Sequence, residues 1–356
     1  MSKPRRLDHS AFCIDSSASA RLALEQINNQ SGQPCLILGE DGRCMGIVTD
    51  GDIRRFLLDG KSLEDSVALL SSGFHSTGEG TSADDAERLL RMHKIQHLPI
   101  LDADDRLVGI WVDQPENRFS NHAIPVLILA GGKGTRLHPL TLSRPKPLIK
   151  VGEITLLDRA LEKCVADGFS NFYMSVNYLK DQVIGHLRES QFSSQSITFV
   201  EEDIPLGTAG PVGLLPPDSY GDLLVVNADV IHNVDLGKMV EAHQESGAGM
   251  TVAVRLHQTT IPFGVVEVED TRIVRVAEKP TLNFPVNAGM YVLSQQVRDM
   301  VPPGIPLDMP DLMEIAISEG LLVSSFLAHE YWLDVGTHES LAIAESQIDK
   351  WNLSAP

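Results

Sequence analysis

Short apolar runs in the later two thirds of the chain alternate with segments whose apolar residues recur at helical spacing. The runs have the length of buried strands and predict the strands Val126–Ala130, Phe172–Val176, Ile197–Glu202 and Leu223–Val226, with a further strand beginning at Gly264. Helical spacing predicts a helix that stops at Gly168 and helices over Lys180–Leu187 and His338–Lys350. This alternation predicts a mainly parallel α/β sheet, with ligands bound at the carboxyl ends of its strands.

The first third of the chain contains an internal repeat. Residues 33–54 align without gaps on residues 96–117, at a constant offset of 63 that places Gly46 on Gly109. A helical pattern beginning at Ser19 falls on one beginning at Ser82 with the same offset. Each copy therefore predicts a helix, a strand, an acidic turn and a second strand. One such unit cannot bury its own apolar face, so we expect the two copies to pack together.

A polar stretch separates the repeat from the α/β pattern. The segment Gln114–His122 contains a proline and shows no periodicity, which is typical of a linker. The predicted organisation is a repeat domain over residues 1–118 with copies at about 8–60 and 71–116, a linker over 119–123 and a second domain over 124–356.

Composition excludes several classes of protein. The formal net charge of −19 argues against a nucleic-acid surface, which needs a basic face. Four cysteines form no CxxC pair and favour reduced thiols over a metal site. No apolar run approaches the twenty residues of a membrane span, and the N-terminus lacks the apolar core of a signal peptide. We therefore expect a cytoplasmic protein without a membrane partner.

Candidate chemistry is concentrated between the first α/β strand and Gly152. A turn with Gly131, Gly132 and Gly134 lets backbone N–H groups approach an anion closely. From Gly131 to Lys150 the chain carries five Lys or Arg residues and no Asp or Glu. Cations beside exposed backbone N–H groups predict a polyphosphate site. The alternative is a plain glycine turn followed by a solvated loop.

These residues resemble a known signature. GGKGTRLHPLT followed by RPKPL is similar to the nucleotide-binding loop of the sugar-1-phosphate nucleotidyltransferases, and the resemblance runs from Ile124 to Gly336. Four later segments strengthen it, namely PLGTAG at 205–210, NAD at 227–229, EKP at 278–280 with NAG at 287–289, and WLDVGT at 332–337. The resemblance implies a Rossmann-like, GT-A-like fold with a mainly parallel mixed sheet.

The resemblance also implies roles for individual residues. The catalytic residues would be Arg136, Lys146 and Asp229. The nucleotide-binding residues would be Leu129, Gly131, Gly132, Gly134, Thr135, Gly207 and Thr208. The sugar-phosphate residues would be Gly210, Glu278, Lys279 and Asn287, and the ligands of Mg²⁺ would be Asp229 and Asp334. Asp229 stands at the tip of an apolar strand, where a carboxylate suits Mg²⁺ or, alternatively, caps a turn.

The repeat domain resembles an α+β CBS (Bateman) pair. Members of that family bind nucleotides through a Gly-x-x-Thr-x-x-Asp run, which the first copy matches with Gly46, Thr49 and Asp52. The second copy places Val112 and Pro115 where Thr and Asp would stand, and neither side chain offers a polar group to a ribose. The resemblance therefore implies at most one regulatory site of this type, for an adenine or guanine nucleotide. The alternative is a purely structural dimerisation module.

Together the two resemblances predict a nucleotidyltransferase that joins an NTP to a sugar 1-phosphate and releases pyrophosphate. GTP and a hexose or hexosamine 1-phosphate are the favoured substrates, the product would feed bacterial surface glycans, and the protein would be a homo-oligomer, either a dimer or a tetramer. Two alternatives remain open at this point. One is a CBS-linked nucleotide-sensing regulatory protein with an inactive transferase domain, and the other is a GT-A glycosyltransferase.

Overall fold

The computed structural model describes residues 4–30, 33–71, 73–93, 95–113, 124–216 and 221–348. The described residues fall into two compact units, one on each side of residue 120. The predicted linker over 119–123 lies outside the described residues, as does Pro115.

The first unit contains short strands and three helices among its described residues. The strands are β1 Arg5–Leu7, β2 Cys13–Asp15, β3 Cys35–Leu38, β4 Cys44–Val48, β5 Thr77–Gly78, β6 His97–Leu101 and β7 Leu107–Val112. The helices are α1 Ala20–Asn29, α2 Asp50–Leu58 and α3 Ala83–His93. The strands form one sheet of order β2-β3-β4 and a second sheet of order β1-β7-β6-β5.

The two sequence copies fold alike and bury a common core. β3 and β4 form an antiparallel pair in the first copy, as do β6 and β7 in the second. Leu36 and Cys44 of the first copy share one buried cluster with Leu107, Ile110 and Val112 of the second. In this cluster each copy buries the apolar face of the other, which neither copy could cover alone. The α+β pair predicted from the repeat is confirmed.

The second unit contains the α/β sheet. Its strands are β8 Val126–Leu129, β9 Lys150–Val151, β10 Ile154–Thr155, β11 Asn171–Val176, β12 Ser196–Glu201, β13 Leu223–Asn227, β14 Val230–His232, β15 Met250–Thr260, β16 Gly264–Glu269, β17 Arg272–Glu278, β18 Thr281–Leu293, β19 Val323–Leu327 and β20 Trp332–Asp334. Its helices are α4 Leu156–Ala166, α5 Lys180–Glu189, α6 Leu236–Ser246, α7 Gln295–Arg298, α8 Met309–Ser318 and α9 His338–Ser346. The final helix runs from His338 to Ser346, and residues 349 and 350 of the predicted helix lie outside the described residues.

The central sheet has the strand order β12-β11-β8-β13-β18-β15-β19. β12, β11, β8 and β13 run parallel, whereas β18 runs antiparallel to both of its neighbours. From β8 the chain moves outward to β11 and β12, and then returns to the other side of β8 as β13. The strand order therefore reverses between β8 and β13, and a crevice opens at the carboxyl ends of strands at such a point. The predicted mixed, mainly parallel sheet is confirmed.

Both faces of the central sheet are covered, and β8 shows why its sequence is apolar throughout. Val126, Ile128 and Ala130 point into one buried cluster, which also holds apolar residues of α4, α5 and α6. Leu127 points into the cluster on the opposite face, which includes residues of α8. A strand buried on both faces cannot alternate polar with apolar residues. This core fixes the strand ends at which the candidate site lies.

β15 and β18 continue beyond the sheet as a two-stranded ribbon. They pair from Met250 with Leu293 out to Thr260 with Thr281, and β16 pairs with β17 beyond them. We call residues 255–286 the arm. Most side chains of the arm are exposed, whereas the parts of β15 and β18 inside the sheet are buried.

Candidate functional site

A cleft of about 260 Å³ opens where β8 and β13 end. Its lining comes from the strand ends and from two glycine-rich loops, the signature loop after β8 and the PLGTAG loop after β12. The lining residues are Leu129, Gly131, Gly132, Lys146, Pro147, Ser175, Glu202, Pro205, Leu206, Gly207, Thr208, Asn227, Ala228 and Asp229. Many of the residues predicted for nucleotide binding thus line one cleft, at the point where the strand order reverses.

The two halves of the signature loop pack against each other at Gly134. Gly134 has φ of 62°, and a Cβ at this position would lie 2.8 Å from Cβ of Lys146. The hydroxyl of Thr141 donates a hydrogen bond of 2.8 Å to the carbonyl oxygen of Gly134. Only glycine combines this left-handed backbone with so close a neighbour. The packing holds Lys146 at the cleft and leaves its side chain 9% exposed.

Lys146 pairs with Asp229, and Asp334 lies beside that pair. The Lys146 ammonium donates to the Asp229 carboxylate across 83 positions of sequence. β14 pairs antiparallel with β20, so Val230 lies opposite Asp334. The N–H of Val335 donates to the carbonyl oxygen of Asp229 at 2.9 Å. Strand pairing therefore brings together the two acids predicted as metal ligands, although 105 positions separate them.

The environment of Asp334 suits a cation. Its Oδ1 is buried and accepts no hydrogen bond from any described residue. Burial, followed by the negative charge of Asp229, raises the pKa of the Asp334 carboxyl, while Lys146 and Arg136 act in the opposite direction. No cluster of three or more His, Cys, Asp or Glu occurs within the described ranges. Two adjacent carboxylates, one with a free oxygen, fit Mg²⁺, which binds one or two carboxylates and takes its remaining ligands from phosphates and water.

Arg136 reaches the same place from the signature loop. It lies in a 3-10 helix over Thr135–Leu137, and its guanidinium passes over Gly336. A Cβ added to Gly336 would lie 2.9 Å from Nη2 of Arg136 and 3.1 Å from Oδ1 of Asp334. The glycine of the WLDVGT segment thus provides space for the arginine. The structure brings together Arg136, Lys146, Asp229 and Asp334.

The second glycine-rich loop is fixed to the start of α8. Gly207 has φ of 76°, and a Cβ there would lie 2.6 Å from the carbonyl oxygen of Leu307. Thr208 donates from its N–H at 2.9 Å and from its hydroxyl at 3.2 Å to Asp308. Gly210 is buried, and its N–H donates to Leu307 at 3.0 Å. Gly207 and Thr208 line the cleft, whereas Gly210 lies in the base of the loop.

Glu202 is a cleft residue that was not among the predicted site residues. Its side chain is buried, accepts from the Ser175 hydroxyl, and accepts at 2.9 Å from the N–H of Leu206. A Cβ on Gly131 would lie 2.8 Å from Oε1 of Glu202, so glycine permits the contact between this acid and the signature loop. The signal in the sequence was an acid directly after β12, at the carboxyl end of a parallel strand.

The predicted sugar-phosphate residues occupy the arm and its root. Asn287 lies where β18 enters the sheet, donates to the Tyr291 hydroxyl at 2.7 Å and accepts from the N–H of Gly289 at 3.0 Å. Glu278 and Lys279 lie farther out, on an exposed part of the arm. Lys279 has φ of 45°, and no ion pair of its ammonium occurs among the described residues. Their roles stay predictions.

In the first unit, Thr49 and Asp52 form a capping box at the start of α2. The Thr49 hydroxyl donates to Asp52 at 2.6 Å, and the N–H of Thr49 donates to the same carboxylate at 2.8 Å. In return, the N–H of Asp52 donates to the Thr49 hydroxyl at 3.3 Å. This box stabilises the helix start without a ligand. The regulatory nucleotide site therefore stays a prediction.

Comparison with known proteins agrees with this geometry. The nucleotidyl transferase family matches residues 125–350. The chain belongs to the nucleotidyl transferase family. CBS domains match residues 6–59 and 67–112. The signature loop and the cleft residues described above all lie within the first match.

Two curated relatives and one solved structure illustrate the similarity of this chain to known proteins. The mannose-1-phosphate guanyltransferase of Schizosaccharomyces pombe is 32% identical over 219 residues, and mannose-1-phosphate guanylyltransferase 1 of Arabidopsis thaliana is 33% identical over 222 residues. Each alignment covers 59% of this chain and 60% of the relative, so the chain spans about 60% of the length of these relatives. HddC from Yersinia pseudotuberculosis shares the fold, with a TM-score of 0.51 and 22% identity over 63% of this chain and 99% of HddC.

Two further findings concern membranes and thiols. Across the part of the chain that the structure describes, every helix is too short or too polar to cross a bilayer. All four cysteines are free thiols.

Proposed function

We propose that this protein transfers a nucleotidyl group from an NTP to a sugar 1-phosphate and releases pyrophosphate. The observation that carries the proposal is that Lys146 and Asp229 line the glycine-rich cleft, with Asp334 and Arg136 beside that pair. Two cations and two acids beside a loop of backbone N–H groups suit a triphosphate with its metal ion. The names of the curated relatives point to the same reaction class.

Catalysis of this reaction depends on positioning the two substrates and neutralising their negative charge more than on a covalent bond to the protein. An oxygen of the sugar phosphate forms a bond to the α-phosphorus, and the bond from that phosphorus to the pyrophosphate oxygen breaks with its electron pair. The attacking phosphate is already anionic at neutral pH, so a general base is unnecessary. Lys146 would neutralise charge at the α-phosphate, and Arg136 would do so at the β- and γ-phosphates. Mg²⁺ held by Asp229 and Asp334 would supply further charge neutralisation to the phosphates.

Glu202 supports GTP as the nucleotide. A carboxylate accepts hydrogen bonds only, and Glu202 lines the cleft beside Gly207 and Thr208. Guanine presents two adjacent donors on its Watson–Crick edge, N1–H and the N2 amino group, whereas adenine presents one amino donor there. We therefore expect Glu202→Gln to lower kcat/KM for GTP by about tenfold, the effect of weakening one polar contact to a base, and to raise the ratio of ATP to GTP use.

The sugar is proposed more broadly, as a hexose or hexosamine 1-phosphate. Lys279 offers a cation for its phosphate, while Glu278 and Asn287 offer hydrogen-bonding groups for its ring hydroxyls. The relatives named above act, by their names, on mannose 1-phosphate. The product would be a GDP-sugar, for which a role in bacterial surface glycans is proposed from the sequence resemblance. Four free thiols suit a reducing, cytoplasmic location.

Regulation by an adenine or guanine nucleotide at the CBS pair is a separate proposal. It is supported by the Gly-x-x-Thr-x-x-Asp run in the first copy, which ends with Thr49 and Asp52 at the start of α2. A helix N-terminus with these polar groups suits a ribose phosphate. Addition of AMP or GMP should change the turnover of the full chain. A Thr49→Val variant should lose that response while keeping its basal turnover.

The decisive test is pyrophosphate release from a panel of NTPs and sugar 1-phosphates, with and without Mg²⁺. The proposal expects turnover that requires both substrates and the metal, and a loss of about 10² in kcat for Arg136→Ala. Release of NDP from a finished sugar nucleotide would favour a GT-A glycosyltransferase instead. Nucleotide binding without any turnover would favour the inactive sensor. Near-wild-type turnover of Arg136→Ala would remove this arginine from the mechanism.

A further inference from the structure

Three glycines at intervals of three residues lie in the PLGTAG loop and in the turn that follows it. They are Gly207, Gly210 and Gly213, and the last two belong to a 3-10 helix, in which residues three apart share one side. A Cβ added to them would lie 2.6, 3.0 and 2.8 Å, in that order, from a backbone carbonyl oxygen of residues 301–307. We call residues 301–308 the linking segment. The glycine spacing therefore makes room for the chain's own backbone.

Backbone hydrogen bonds join the linking segment to the loop. The N–H of Leu307 donates to the carbonyl oxygen of Leu206 at 2.9 Å. In the other direction, the N–H groups of Ala209 and Gly210 donate to the carbonyl oxygen of Leu307 at 2.9 and 3.0 Å. Ala209 also lies in one buried apolar cluster with Met309 of α8. These two N–H groups of the loop are thereby bonded to the protein rather than to a ligand.

Asp308 and Thr208 add a set of side-chain hydrogen bonds to the link. One oxygen of Asp308 accepts from the N–H of Thr208 at 2.9 Å and from its hydroxyl at 3.2 Å. The N–H of Met309, the first residue of α8, donates to the Thr208 hydroxyl oxygen at 2.8 Å. Asp308 holds the N-cap position of α8, yet Thr208 makes the capping bond. A hydroxyl has one proton, so Thr208 in this arrangement has no O–H left to donate to a nucleotide.

We propose that Asp308 is a positioning residue for the nucleotide, and that it acts by holding the PLGTAG loop through Thr208. The proposal rests on the nucleotidyl transfer proposed above. Gly207 and Thr208 line the cleft, whereas Asp308 is not among its lining residues. A displaced loop weakens the binding of a nucleotide that lies against it. Arg136 and Lys146 belong to the signature loop and keep their places, so KM for the NTP should change more than kcat.

Steady-state pyrophosphate release by the full chain tests this role. Asp308→Ala should raise KM for the NTP about tenfold and change kcat less than about threefold, because two hydrogen bonds to the loop are lost. Asp308→Asn keeps an oxygen that accepts both bonds, so its KM should stay within about threefold of wild type. The matched control is Asp311→Ala, another acid in the first turn of α8, which should keep the wild-type KM. An unchanged KM in Asp308→Ala overturns the proposal.

A double variant separates positioning from direct contact. Thr208→Val removes the hydroxyl and should raise KM for the NTP about threefold. If the hydroxyl acts through Asp308, the combined variant should show about the tenfold rise of Asp308→Ala alone, because both changes break one link. Independent effects would multiply to about thirtyfold. A thirtyfold rise would assign the Thr208 hydroxyl to the nucleotide itself and refute the proposed role.

Hydrogen exchange of the loop gives a measurement that does not depend on activity. The N–H groups of Thr208, Ala209 and Gly210 all donate to residues 307–308. In the full chain without substrates, amide exchange in a peptide spanning residues 203–215 should be about tenfold faster in Asp308→Ala than in Asp311→Ala. Equal exchange rates would contradict the link. If the wild type releases no pyrophosphate but Asp308→Ala speeds exchange, the transferase proposal fails and the link stands.

Discussion

The ion pair between Lys146 and Asp229 should contribute to stability as well as to catalysis. The Lys146 side chain is 9% exposed and that of Asp229 is 27% exposed, so the pair is mostly, though not fully, withdrawn from water. Removing one partner of a fully buried pair costs about 3–5 kcal/mol. Since a quarter of Asp229 is exposed, we expect Lys146→Met to lower the free energy of unfolding by about 2 kcal/mol. For a domain of this size that change lowers Tm by about 4–8 °C.

A double-mutant cycle isolates the pair from other losses. Lys146→Met, Asp229→Asn and their combination are compared by thermal and urea unfolding of the full chain without Mg²⁺. The combined variant should be more stable than the sum of the single losses predicts, by about 1–2 kcal/mol, because each single change leaves one unpaired group. Lys180→Met, which breaks the exposed pair with Glu201, is the matched control and should cost less than about 0.5 kcal/mol. Additive losses at Lys146 and Asp229 would refute the coupling.

Three further predictions concern individual cleft and core residues. Gly336→Ala should lower kcat about tenfold, because the new Cβ would lie 2.9 Å from Nη2 of Arg136 and 3.1 Å from Oδ1 of Asp334 and would displace the flexible end of the arginine; wild-type kcat would contradict this. Asp334→Asn should raise Tm of the metal-free protein at pH 7 by about 2 °C while reducing turnover, because the raised pKa of Asp334 means that folding disfavours its charge; a lower Tm would show that the carboxylate is stabilising. Burial lowers the pKa of His232 from 6.5 to about 3. Between these two pH values His232 is protonated in the unfolded chain and neutral in the folded chain. The free energy of unfolding should fall by up to about 1.4 kcal/mol per pH unit from pH 6.5 towards pH 3, and urea unfolding of His232→Leu should show a shallower slope.

Local features of the sheet and the signature loop could be predicted from sequence because they depend on near neighbours. The apolar run of β8 requires burial on both faces, and the glycines that follow it require a turn. The repeat predicted two like units packed together for a similar reason, since its two copies have the same pattern and neither can cover its own apolar face. The positions of Arg136 and Lys146 within the loop follow from those local constraints.

Long-range features could not be predicted in the same way. The contact between Asp229 and Asp334 depends on the pairing of β14 with β20, which no local pattern specifies. Glu202 was missed because an acid before a glycine-rich loop also fits an ordinary exposed turn. The direction of the arm follows from the ladder between β15 and β18. Periodicity predicts each of these strands but not the strand with which it pairs. Sequence resemblance assigned Lys279 to the sugar phosphate, and that role stays a prediction.

The reciprocal bonds of Thr49 and Asp52 have a consequence for any molecule that binds at the start of α2. A ligand hydroxyl or phosphate that takes over either side chain competes with the first turn of the helix for the same hydrogen bonds. Loss of a helix cap costs about 1 kcal/mol, which weakens the apparent affinity about fivefold unless the ligand itself bonds the released N–H groups. Ligands whose oxygens accept hydrogen bonds from the released N–H groups should therefore bind more tightly than ligands that fill the same space without these bonds.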